Sequence, residues 1–209
     1  SADGRTWTFH LRRGVQFHHG REMIAEDVVA TVERAQDQAN SLLARGFYGP
    51  VASVRAEGKY RVRFVLTRPF SELPVQLAVP LARILPADRL DSQGTAPVGT
   101  GPFRFKELQP GSSLMLEKNP TYWMPGRPYL DGVTFVAIRE SIAQQAALRG
   151  GAVDLLTRIP VEAGLSLRAA SGVKFYSATT GDYHAVITQI NMPPFDNPKV
   201  RLAFKYLLG

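Results

Sequence analysis

The residue types best suited to chemistry in this 209-residue chain are its four histidines, because it contains no cysteine. His10, His18, His19 and His184 would need two or three imidazoles to converge before a metal could be held. His10 and His18 fall on neighbouring predicted strands, so convergence stays open for them. His18 and His19 are adjacent and point apart if both are extended. The absence of cysteine excludes thiolate metal sites, cysteine nucleophiles and disulfides, and it leaves the compartment open. Asp27, Glu33, Asp131 and Asp154 supply carboxylates, but nothing in their spacing brings two together for acid–base work. Asp154 falls at a helix–strand junction and Glu33 on a solvent face. Val98-Gly-Thr-Gly-Pro102 is glycine-rich. Pro102 and the strand after it leave no helix N-terminus to cradle a phosphate, so this stretch reads as a tight turn. No Gly-x-Ser-x-Gly elbow, Walker loop, His-Glu-x-x-His pair or Rossmann glycine run occurs. The residues supply no catalytic set, and neither a cofactor nor a resident metal is expected.

The composition, 44% hydrophobic, is enough for a real core. No apolar run reaches the roughly 18 residues of a membrane span. Ser1-Ala-Asp-Gly-Arg5 is polar and does not read as a signal peptide. The net charge of +7 raises the question of nucleic acid. The basic residues are scattered, however, with no Lys/Arg block of five or more and no recognition motif. No nucleic-acid partner is expected. Tyr60 and Phe64 could form a stacking face, but their strict alternation fits core packing better.

The elements that would position these residues follow from periodicity. Trp7 to Leu11 alternates as a half-buried strand, and Val15 to Phe17 is a second, bracketed by Gly14 and Gly20. Val28, Val29, Val32 and Ala35 mark one face of a helix over 25–38. Its first turn holds Glu26 and Asp27, which suit the helix dipole. Residues 40–50 read as a loop. Strands over 51–56 and 60–66 meet at Glu57-Gly-Lys59, with Tyr60, Val62, Phe64 and Leu66 facing the core. A short helix over 72–78, capped by Ser71, leads into a proline-spaced connection, 80–97. A second hairpin, 103–108 with 113–118, turns at Pro110-Gly111. Strand 133–139, helix 142–148 capped by Ser141, strand 153–156, helix 160–170, strand 173–176 and strand 184–190 complete an α/β pattern with parallel crossovers. Gly150-Gly151 is the stop of the first of these helices. Asn197-Pro198 then starts a last helix, with Asn as the cap and Pro at the first position. That helix has run only about three turns at Gly209, which suggests a chain cut where another domain would begin.

Five stretches carry a family resemblance, in order along the chain. They are Trp7-Thr-Phe-His-Leu-Arg-Arg-Gly-Val-Gln-Phe-His-His-Gly20 with Ala25-Glu-Asp-Val28; Pro97-Val-Gly-Thr-Gly-Pro-Phe103; Asn119-Pro-Thr-Tyr-Trp123 with Pro128-Tyr-Leu-Asp131; Leu148-Arg-Gly-Gly-Ala-Val-Asp154; and Asn191-Met-Pro-Pro-Phe-Asp-Asn-Pro-Lys-Val-Arg-Leu-Ala-Phe-Lys-Tyr206. Together they resemble the family 5 extracytoplasmic solute-binding proteins, the oligopeptide, dipeptide and nickel receptors of ABC importers. His19 and Ile24 depart from the family pattern, which favours an acidic residue or Asn at the first position and a Thr cap at the second.

The resemblance implies an α/β fold, part of a type II periplasmic-binding-protein-like architecture. It combines a mixed-sheet lobe with a small α+β subdomain. Residues 1–95 would be the extra subdomain of the first lobe and 96–192 its central α/β part. Residues 193–209 would be the hinge and the first helix of a second lobe that is otherwise missing. The implied function is capture of a small polar ligand, a peptide by default, in an inter-lobe cleft. Delivery to ABC permease subunits at the membrane would follow, in the periplasm or another extracytoplasmic space. Nickel-chelate or other small-solute binding is the alternative, as is a permease-docking module without ligand capture. On this half, the resemblance assigns cleft-lining roles to Arg45, Phe47, Tyr48, Arg83, Thr100 and Gly101.

Overall fold

The computed structural model describes residues 3–37, 39, 42–157, 159–168, 170–178 and 187–208. The chain divides into two compact units, Ser1–Gln144 and Gln145–Gly209. The first unit begins with strand β1 (Thr6–His10), helix α1 (Ala25–Gln36), helix α2 (Leu42–Phe47), strands β2 (Val51–Ala56) and β3 (Arg61–Leu66), and helix α3 (Leu73–Leu77). These strands form an antiparallel sheet of order β1-β3-β2.

Alternation in β3 works as the sequence predicts. Val62, Phe64 and Leu66 are buried while Arg61 faces solvent, because successive side chains leave opposite faces of a strand. Helix α1 covers the buried face with Val28, Val32 and Ala35. Each valine so buried contributes roughly 1.5–3 kcal/mol. Phe9 of β1 meets Phe64 edge-on at 5.5 Å between ring centres.

Ile24 stands at the N-cap of α1, where its side chain has no oxygen to accept a helix N–H. The first turn is secured from the other direction. Asp27, three residues on, accepts the Ile24 N–H at 2.9 Å, which is one half of a capping box.

The connection after α3 contains two short 3-10 turns, Pro80–Ala82 and Ala87–Arg89. Strands β4 (Phe103–Gln109), β5 (Ser113–Lys118) and β6 (Gly132–Val136) then form a second antiparallel sheet. The hairpin turn at Gly111 has φ +75°, a conformation that glycine adopts without steric cost. Cross-strand partners share a face, so Phe105, Leu116 and Val133 lie together, as do Leu108, Leu114 and Phe135. No residue of this sheet is fully buried, and Leu108 and Phe135 are exposed.

Helix α4 (Ser141–Arg149) crosses the division between the units. It stops at Gly151, with φ +71°, and the Ala152 N–H reaches back to the Ala147 carbonyl, a glycine-dependent helix end. The second unit holds α5 (Val161–Arg168) and α6 (Pro198–Leu208). Asn197 caps α6, accepting the Lys199 N–H at 2.9 Å.

Several expectations change. Residues 42–47 form a helix where a loop was expected. Val15 and Phe17 are buried, but only a single bridge, Gln16 to Glu22, joins that segment to its neighbour. Ser71 makes no cap; Glu72 holds the position before α3. Every described strand pair is antiparallel. Residues 153–156 and 173–176 form no strand. A short apolar run becomes a strand only where a neighbour completes the ladder, and periodicity cannot see that neighbour. Of the expected strand 184–190, residues 184–186 lie outside the described residues and 187–190 form no strand.

Candidate functional site

The six residues assigned to a ligand fall on two local scaffolds of the first unit. The first is built from α2 and the Pro80–Ala82 turn, which pack together. The Gln36 side chain at the end of α1 donates to the Val51 carbonyl at 2.7 Å, and more weakly to that of Tyr48. This fixes where the chain leaves α2. Arg45 is half-buried, and Phe47 packs against the core. Arg83 follows the Pro80–Ala82 turn and is exposed.

Tyr48 is only 1% exposed, within the cluster of Val28, Val32, Phe64 and Leu73. Its ring is therefore closed to solvent. Its hydroxyl is buried with no hydrogen-bond partner among the described residues, and burial raises its pKa. Beside it lies an apolar hollow of about 210 Å³, lined by Phe9, Leu11, Leu77 and Ile84 among others.

The second scaffold is the Val98–Pro102 turn, which carries Thr100 and Gly101. His18 and Asn119 hold it from behind. The His18 backbone N–H donates to the Gly99 carbonyl at 2.8 Å. On its ring, Nδ1 accepts the Gly99 N–H at 3.2 Å, and Nε2 donates to the Gly101 carbonyl at 3.1 Å. The Asn119 amide donates to the same Gly101 oxygen at 2.9 Å. Asn119 is buried, and its own N–H donates to the Pro102 carbonyl. Both bonds to the ring require the neutral imidazole with its proton on Nε2. Burial lowers the His18 pKa below 6.5; Arg104 and His19 push the same way, against the Gly101 hydrogen bond. Thr100 and Gly101 are half-exposed. Their N–H groups and the Thr100 hydroxyl have no partner among the described residues.

Sequence reasoning missed the polar centre of this unit. Asp27 was expected only to suit the helix dipole, and its side chain proves fully buried. It accepts two hydrogen bonds from Arg21 and one N–H each from Ile24 and Ala87. Arg21 also reaches Asp88, at 2.8 Å, and Asp88 lies 3.3 Å from His19. Thr31 adds a second link, with Oγ1 accepting the Leu85 N–H at 2.9 Å. The connection 85–88 is thereby tied to the start of α1. Desolvation works to raise the Asp88 pKa, but hydrogen bonds from Arg21 and its own backbone, with Arg21 and His19 charge, leave it lowered. Only the three-residue spacing from Ile24 to Asp27 hinted at any of this.

Among the described residues the histidines do not converge. His10 is exposed, His18 holds the turn, and His19 faces Asp88. His184 lies outside the described residues. No group of three or more His, Asp or Glu among the described residues could hold a metal. Asp131, Asp154 and Glu33 are exposed.

Residues 1–208 match the sequence profile of the bacterial extracellular solute-binding proteins, family 5 (middle). The chain belongs to this family, whose architecture is the type II periplasmic-binding-protein fold. It is 30% identical to the glutathione-binding protein GsiB of Escherichia coli K12, over 100% of the chain and 42% of that protein. It therefore spans about two-fifths of that relative's length. The periplasmic binding protein DppA from Helicobacter pylori, solved with the peptide STSA, superposes with a TM-score of 0.72 at 31% identity. That match covers 82% of this chain and 38% of DppA. NikZ from Campylobacter jejuni, solved with Ni(L-His), matches with a TM-score of 0.89 over 99% of this chain and 42% of NikZ. At 22% identity, that likeness speaks for the fold. These relatives are solute-binding receptors rather than enzymes.

Proposed function

We propose that the chain is part of the substrate-binding component of an ABC-type importer for peptides, acting in the periplasm or another extracytoplasmic space. It would supply one wall of an inter-lobe cleft that captures a small polar ligand and hands it to permease subunits. The division into residues 1–95, 96–192 and 193–209 belongs to this reading. So does a second lobe supplied by sequence beyond this chain, given that the chain spans 42% of the E. coli relative. The observation that carries the proposal is the family match over residues 1–208, combined with relatives named for glutathione and for a bound peptide. Such ligands share amide groups and a carboxylate. The Thr100–Gly101 turn offers N–H donors that have no partner among the described residues and suit either. Arg83 is an exposed cation on the other scaffold, and Arg45 and Phe47, both half-buried, lie on the helix packed against the turn that Arg83 follows. Tyr48 would act there by shaping the base of α2, since its ring is buried.

The test is a thermal-shift screen of the polypeptide extended to its relatives' length. Glutathione, dipeptides, oligopeptides, nickel with chelators, and sugars form the panel. A ligand that binds only the folded state raises the melting temperature, by about 2.7 kcal/mol of added stability at a hundredfold excess over Kd. A shift with peptides alone supports the proposal. A shift confined to nickel chelates or sugars replaces the cargo, and no shift with any class moves the reading to a permease-docking module.

A further inference from the structure

We propose that His18 is a positioning residue: it pins both flanks of the Val98–Pro102 turn, and so sets where the Thr100 N–H and hydroxyl are presented to an oxygen acceptor of the ligand. This deepens the solute-binding reading and rests on it for the identity of the acceptor.

The carbonyl groups of the turn carry the argument. The Gly99 oxygen is taken by the His18 N–H. The Gly101 oxygen is taken twice, by His18 Nε2 and Asn119 Nδ2, which fills the two lone pairs of a carbonyl. The Pro102 oxygen is taken by the Asn119 N–H. With the Gly99 carbonyl held, the Thr100 N–H of the same planar peptide points the opposite way, and the ring bonds to the Gly99 N–H and the Gly101 oxygen hold the peptides on either side. Among the described residues the Thr100 and Gly101 N–H groups and the Thr100 hydroxyl have no partner, and successive N–H groups in a turn suit a carboxylate or peptide carbonyl. The imidazole also packs on the turn: a Cβ on Gly99 would meet ring Cε1 at 3.6 Å.

This lock is sensitive to protonation. The Nδ1 lone pair receives the Gly99 N–H. In imidazolium that nitrogen carries a proton, so two donors would face each other. The charged groups acting on the ring are Arg104 at the start of β4 and the neighbouring His19, and both oppose a second positive charge. The turn should therefore hold at neutral pH and loosen on acidification.

Two substitutions separate the two ring bonds. His18→Asn places an oxygen near the Nδ1 position, and His18→Gln places an amide donor near the Nε2 position. The first readout is amide hydrogen exchange, by NMR, on the 209-residue chain. Gly99 exchange should be about tenfold faster in His18→Gln, the effect of one lost hydrogen bond, and should stay protected in His18→Asn. In the wild-type chain the same amide should lose protection as the pH falls below about 6.5. The second readout is glutathione affinity of the polypeptide extended to its relatives' length, measured against pH. Wild-type affinity should fall on acidification, and both variants should lose that pH dependence. Gly99 exchange that ignores both substitution and pH overturns the lock. Identical pH profiles of affinity in wild type and variants overturn its role in binding. If the wild-type protein binds neither glutathione nor other peptides, the solute-binding reading fails, while the exchange data alone still decide whether His18 positions the turn.

Discussion

At the scale of single residues, Asp27 is the most consequential group. Its carboxylate is fully buried and satisfied by Arg21 and two backbone N–H groups. Removing one member of a buried ion pair leaves the others unpaired, which commonly costs 3–5 kcal/mol. Arg21 is 33% exposed and can rehydrate, so Asp27→Ala should cost about 3 kcal/mol, at the lower end. Urea unfolding should show this as a lower midpoint at unchanged slope. Tyr48 gives the opposite expectation. Its hydroxyl is buried without a partner among the described residues, so Tyr48→Phe removes a group that pays desolvation for nothing. Stability in the same assay should stay level or rise by about 1 kcal/mol. A clear loss would reveal a partner for that hydroxyl. The sequence made Tyr48 a candidate ligand contact and Asp27 a dipole residue, and burial, which no spacing reports, assigned them differently.

At the scale of elements, local rules were legible at two helix ends and along the strand faces, while Ser71 makes no cap and Ser141, expected as a cap, is the first residue of α4. The Asn197-Pro198 start of α6 and the Gly150-Gly151 stop of α4 both stand as read. Asn197→Ala should cost about 1 kcal/mol, concentrated in α6. Hydrogen exchange should show faster amides in Pro198–Leu208 and none of this change in α1. The α1 start illustrates the opposite case. Ile24 cannot cap, yet the helix begins at Ala25 because Asp27 captures the Ile24 N–H and is held by Arg21. Residues 153–156 have strand-like composition but no ladder, since pairing depends on another segment.

At the scale of the whole molecule, pH integrates several of these sites. His18 has a pKa lowered from 6.5, so the unfolded chain binds protons more readily than the folded one just below that value. Its contribution is fully present above about 6.5 and declines as pH falls from there. Glu22 is lowered from 4.5 to about 2 by Lys59, the Gly14 N–H and the Tyr60 hydroxyl. Its contribution is present above 4.5 and is lost as pH falls toward 2. Melting temperature against pH should therefore fall in two stages on acidification, and Glu22→Gln should shrink the lower one, leaving the part that Asp88 contributes. A stability that rose on acidification from pH 7 would contradict both assignments. The sequence by itself determined the family, the sheet alternation and the helix ends at Gly150-Gly151 and Asn197-Pro198, because periodicity and capping act between residues a few places apart. The tertiary structure alone decided that Asp27 is buried, that Tyr48 is core, and that His18 and Asn119 meet on one carbonyl. His18 and Gly101 are 83 residues apart, and only the folded chain brings such distant hydrogen-bonding groups within reach of each other.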